Sequence, residues 1–177
     1  MALQTEGQAV LRSPQGFTLW QAGSPEKPWQ QGAFRVTVDA PHPGVACAWF
    51  RGGWFDALTL VWRSVTEGAV LDADPPTEGA ASPGGSLYVP LRLAPGEDTT
   101  IRVLLAWHVP DTNVRAGADL ACDETSCDCK NGPTHHQPWY TGVFSDIDAV
   151  SSYWMKQYAT LKAATQRFST CFYDTTL

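Results

Sequence analysis

Residues 48–62, AWFRGGWFDALTLVW, decide how the rest of the chain is read. Three Trp and two Phe fall within fifteen residues. Each such ring can remove about 150–250 Å² from water. Gly52 and Gly53 let the backbone pass where a side chain would clash, or turn with positive φ. Asp56 is placed to cap a helix whose apolar stripe is Leu58, Val61, Trp62 and Val65. Gly68 is placed to end that helix. The stretch reads as a strand, a tight aromatic turn and a short helix.

Upstream of it the pattern is β. Ala9-Val10-Leu11 and Phe17-Thr18-Leu19-Trp20 are short apolar runs set apart by Pro14 and Gly16. Residues 34–38 alternate apolar and polar with period two, the mark of a half-buried strand. A Pro/Gly/Gln loop, residues 23–32, lies between, and Trp29 in it packs as a lid over an edge or meets a partner.

Downstream, residues 72–85, DADPPTEGAASPGG, have no periodicity and read as a mobile loop. Residues 86–93 and 100–107 read as two strands joined by a five-residue turn, a hairpin, with Pro90 marking an edge or a bulge. Ser145 is placed to cap a final helix, with Asp148 returning the contact. Its stripe of Ile147, Val150, Trp154, Tyr158, Leu161, Thr165, Phe168 and Phe172 holds helical spacing for about seven turns. A stripe that long needs a partner surface. The order of elements predicts a mainly β, sandwich-like domain with one short helix and a long C-terminal helix. The domain reading is 1–140 for part of an N-terminal β-sandwich and 141–177 for a linker and first helix.

Composition narrows the function. The 177 residues are 44% hydrophobic and 17% charged, globular proportions. The net charge is −6 and no basic cluster exists, which disfavours nucleic acid and a polybasic membrane anchor. No run reaches the ~18–20 apolar residues of a transmembrane helix. The first twenty residues lack the apolar core of a secretory signal. Five Cys without such a signal predict reduced thiols and a cytoplasmic setting.

Three segments, in order, carry a resemblance: WFRGGWFDAL followed by LVW, then residues 87–110, LYVPLRLAPGEDTTIRVLLAWHVP, then PWYTGVFSDIDAVSSYW from Pro138. Over about residues 44–177 the chain resembles the N-terminal domain of glycoside hydrolase family 116, the bacterial β-glucosidases and non-lysosomal glucosylceramidases. The resemblance implies an N-terminal β-sandwich followed by an α/α toroid that carries both catalytic carboxylates. No catalytic residue can therefore be carried over. It also implies a chain that ends near the start of that toroid and lacks earlier strands, hence a fragment or half-domain with no activity alone. Arg51, Gly52, Gly53, Trp54, Asp56, Trp139 and Tyr140 are the candidates for a substrate wall or domain interface. The implied partners are the toroid, fused or separate, and a β-glucoside held by it.

The residues also leave two other readings open. Trp20, Trp29, Trp49, Trp54 and Trp62 could stack on sugar faces in a free-standing carbohydrate-binding module, although aromatic stripes are more often core, and core or interface is the reading for Trp62, Trp107 and Trp154. Cys122, Cys127 and Cys129 with His135 make four candidate ligands for a structural zinc, in a zinc-stabilised interaction domain. The spacing is irregular, and a surface loop with free thiols explains the same residues. Glycoside hydrolysis needs two positioned carboxyl groups. The 18 Asp and Glu form no such constellation, and Asp56 reads as a cap.

Overall fold

The structure, a computed structural model, describes residues 8–114 and 135–175. It is mainly sheet, with two antiparallel sheets, one short helix and a long C-terminal helix. The larger sheet contains β1 (Gln8–Ser13), β2 (Gly16–Gln21), β3 (Gly32–Asp39) and β6 (Arg102–His108), in the order β1-β2-β3-β6. The smaller pairs β4 (Gly44–Ala46) with β5 (Ser86–Tyr88). Between them in sequence lies α1 (Ala57–Thr66), and α2 (Ile147–Thr175) ends the described chain.

Strand alternation sends alternate side chains to opposite faces of the large sheet. On one face Val10, Phe17 and Val36 meet Val45, Cys47 and Leu87 of the small-sheet region. On the other, Trp20, Ala33 and Ala106 meet Phe144, Ile147 and Val150 at the start of α2. The sheet is thus covered on both faces, by the ribbon on one and by helix on the other. The cover is partial. Val103, Leu105 and Trp107 alternate with Ala106 and His108 along β6 and remain exposed.

The hairpin expected from residues 86–107 does not form. β5 pairs with β4, while β6 pairs with β3 over seven residues, Ala33 opposite His108 through Asp39 opposite Arg102. The non-local pairing buries Ala106 and His108 beneath α2, and Arg102 donates to Asp39 at 2.9 Å. A local hairpin would forfeit that burial, and Pro90 and Pro95 in the connection cannot donate to a ladder.

Residues 72–85, read as a mobile loop, are tied down at several points. Ala73 exchanges backbone hydrogen bonds with Val45 and Cys47. Arg12 pairs with Asp72 at 2.6 Å, and the Ser82 hydroxyl accepts from Trp49 N–H at 2.8 Å. The Trp49 ring lies where a Cβ on Gly84 would be, at 2.5 Å.

The 29 residues of α2 span roughly 43 Å at the usual rise. The expected cap shifts by one position. Asp146, not Ser145, accepts from Ala149 N–H, at 2.8 Å, and Ser145 donates to Asp146. Asp148 is drawn instead into an ion pair with Arg35 of β3. Ile147, Val150 and Ser151 are buried; Phe168 and Phe172, further along, stack on each other in the open. No helix among the described residues is long and apolar enough to cross a membrane.

Asp146 carries a pH prediction. The Ala149 N–H foremost, then the Ser145 hydroxyl, hold its carboxyl below the ordinary aspartate value. Its stabilising contribution is therefore complete above that ordinary value and fades as pH falls through the lower folded value. Asp146→Ala is expected to cost about 1 kcal/mol at neutral pH. Asp146→Asn, which still caps, is expected to keep nearly all of that and to flatten the acid limb. Thermal melts of the three proteins from neutral pH to strong acid check both, and an unchanged acid slope in the Asn variant would refute the assignment.

Candidate functional site

The aromatic turn is built on glycine. A Cβ on Gly52 would fall 2.4 Å from the Phe50 ring and 2.8 Å from Trp54 Nε1. Without it, Phe50 and Trp54 meet edge to face at 5.0 Å, and Trp54 touches Phe55 at 6.2 Å. Gly53 has no such neighbour. Arg51 donates to the carbonyls of Glu78 and Ala80, which fastens the turn to the loop behind it. Trp54 is 82% exposed.

Asp56 then starts α1, as expected. It accepts from the N–H groups of Leu58 and Thr59 and from the Thr59 hydroxyl. Those bonds, the Thr59 hydroxyl first, hold its carboxyl below the ordinary range, and it is ill suited to acid–base work near neutrality. Gly68, at φ +67°, ends the helix: its N–H donates to Val65 and that of Ala69 to Ser64, the paired bonds of a Schellman motif. No residue of α1 is buried, and Leu58, Trp62 and Val65 of its stripe face outward.

The other candidates lie at the end of β6. Trp139 starts a 3-10 turn, Trp139–Gly142, and its ring is 84% exposed. Tyr140 is structural in its contacts: its hydroxyl donates to Val109 O at 2.7 Å and accepts from Val109 N–H at 2.9 Å, and its ring meets His108 edge to face. His108 is buried, and its Nε2 is 3.1 Å from the Phe144 carbonyl oxygen. His135 lies beside Trp29, with Nδ1 3.0 Å from Asp111. Cys122, Cys127 and Cys129, the other members of the zinc reading, lie outside the described residues.

A cleft of about 760 Å³ opens at the same end of the sheet as Trp29. Trp20, Trp29 and Trp107 line it, together with the four glutamines Gln8, Gln21, Gln30 and Gln31. Its other lining residues are Ala9, Val10, Leu19, Gly32, Ala33, Phe34, Ser82, Pro83 and Val109, so no charged side chain borders it. Sequence reasoning picked out Trp20 and Trp29 but set Trp107 aside as core or interface. At 69% exposure Trp107 is no core residue among the described ones, and neither is Trp62 or Trp154. Gln8 and Gln21 face each other across β1 and β2, and Gln30 and Gln31 are neighbours in the loop before β3; nothing in their spacing marks the four as one site.

Many of the carboxylates near these aromatic segments are occupied structurally. Asp56 and Asp146 cap helices, Asp72 and Asp74 pair with Arg12, Asp39 with Arg102, and Asp148 with Arg35.

In comparison with known families, residues 4–161 fit the family described as beta-glucosidase 2, glycosyl-hydrolase family 116 N-term. The match takes in β1, β2 and β3, ahead of residue 44, where the resemblance in the sequence begins. No curated protein matches the chain significantly.

Proposed function

Because the chain belongs to the glycosyl-hydrolase family 116 N-terminal domain family, we propose that it is the non-catalytic N-terminal portion of a β-glucosidase- or glucosylceramidase-like hydrolase. Its work is to dock on a helical catalytic domain, which supplies the two carboxyl groups, and to shape a wall beside the substrate. The observation that carries this is the outward apolar surface on three elements. Leu58, Trp62 and Val65 of α1, Val103 and Leu105 of β6, and Phe168 and Phe172 of α2 are all exposed. Exposed large apolar side chains on several elements at once are what interaction surfaces present. The capped and paired carboxylates favour a docking role over a catalytic one.

The test is to titrate the 177-residue chain against a separately produced catalytic domain of a family 116 β-glucosidase, by calorimetry. Association is expected. Trp62→Glu is expected to weaken it by about thirtyfold or more, the scale of a buried aromatic hot spot. Absence of any association, or inhibitor-sensitive glucosidase turnover by the chain alone, would overturn the proposal.

A further inference from the structure

The cleft lined by Trp29 and Trp107 is set apart from the other exposed aromatic surfaces by its amides, with four glutamines in its lining. A flat apolar face suits a protein partner. A pocket that combines indole rings with side-chain amides suits a small molecule that is apolar on its faces and hydroxylated on its rim. We propose that this cleft is a binding site for one or two units of a neutral hexopyranose sugar, separate from the surfaces through which the chain docks.

Size, lining and rigidity support this. The volume of about 760 Å³ lies within the roughly 300–1,000 Å³ of small-ligand sites, room enough for a mono- or disaccharide. Each glutamine side chain carries both a donor pair and an acceptor, which match a hydroxyl that both donates and accepts. Gln21 is already oriented: its Nε2 donates to Gln30 O at 2.8 Å, which leaves its Oε1 as an acceptor. The lining has no Asp, Glu, Lys, Arg or His, so nothing there compensates a charged ligand. The C–H face of a pyranose ring can lie on the indoles, which supply broad apolar area at low entropic cost.

Trp29 is held in place before any ligand arrives. It sits in a 3-10 turn, Pro28–Gln30, with Pro at its start. The chain below it turns through paired backbone bonds between Ser24 and Lys27. Gly23 lies so close that a Cβ there would meet the Pro28 carbonyl oxygen at 2.7 Å. The ring also meets His135 at 6.4 Å, and His135 is itself anchored to Asp111. A preorganised ring costs less to use in binding.

The sugar class follows from the lining; the choice of β-glucosides as probes rests on the docking proposal's hydrolase reading. The experiment is an NMR titration of the full chain labelled with ¹⁵N, which follows each indole N–H. The probes are methyl β-glucoside and cellobiose, with glucose 6-phosphate as the charged control. Saturable shifts of the Trp29 and Trp107 signals are expected with the neutral sugars, at least about tenfold weaker with the phosphate. Trp107→Ala, at an exposed position, is expected to weaken binding about tenfold or more. Leu93→Ala, at an exposed position outside the cleft, is expected to leave it unchanged. Flat titrations with both neutral sugars, or binding indifferent to Trp107→Ala, would overturn the site. Neither result bears on association with the catalytic domain, and loss of that association leaves the titration unaffected, so the two proposals fail separately.

Discussion

Gly16→Ala is expected to destabilise the protein by about 3 kcal/mol, the upper range for a single substitution. Gly16 opens β2 and pairs with Thr37 of β3. A Cβ added there would lie 1.9 Å from the Val36 carbonyl oxygen and 2.9 Å from the Thr37 Cα. Both are backbone atoms, so no side chain can swing aside to make room. Either β2 must move off β3 or the pairing at its start must break. The next residue, Phe17, is buried in the core between the sheets with Val36 packed beside it, so a shift propagates inward. A domain of this size has a stability of about 5–15 kcal/mol, and the loss corresponds to a drop in melting temperature of roughly 6–12 °C. Gly53→Ala is the matched control, since its Cβ would meet nothing within 4 Å. Calorimetric melts of the two variants decide the matter. Equal melting temperatures would mean that β2 and β3 do not approach each other in this register.

Arg35→Ala is expected to loosen α2 from the sheet at a cost of about 2 kcal/mol, below the 3–5 kcal/mol of a fully buried pair because its partner is open to water. The Arg35 side chain is 13% exposed, and that of Asp148 76%. Its Nε also donates to the Thr18 hydroxyl at 2.8 Å, and Thr18 is buried in the sheet. Removal of the guanidinium leaves that hydroxyl without its donor and the first turn of α2 without its ion pair. Asp148→Asn removes only the exposed charge and is expected to cost less than about 1 kcal/mol. Hydrogen exchange across residues 147–158 gives the readout. Protection there is expected to fall sharply in Arg35→Ala and little in Asp148→Asn. Equal losses in the two variants would show that the ion pair, rather than the buried arginine, holds the helix.

Local signals were legible in the sequence. Short apolar runs located β1 and β2, period-two alternation located β3, and Asp56 and Gly68 bound α1 as their residue types require. The long stripe from Ile147 located α2. What could not be read was competition between local and distant partners. The turn between residues 93 and 100 suits a hairpin, yet β6 gains more by joining β3, 63 residues away at the Arg102–Asp39 pair. Asp148 reads as the return half of a capping box until Arg35, on another strand, takes it. The cleft was illegible for the same reason. Its glutamines and tryptophans come from β1, β2, the loop before β3 and β6, and only the fold gathers them. The candidate turn at Gly52 and Trp54 was legible because it is contiguous.

β6 has a second consequence. Among the described residues it has β3 on one side and no strand on the other. One row of its amide and carbonyl groups therefore points away from the sheet, along a strand whose Val103, Leu105 and Trp107 are exposed. Bare strand edges recruit further strands. At high concentration and without a partner, copies of this protein have a route to ordered aggregation along that edge. Recovery from expression and storage will depend on dilution, and a lysine in place of Leu105 would act as a gatekeeper against the loss.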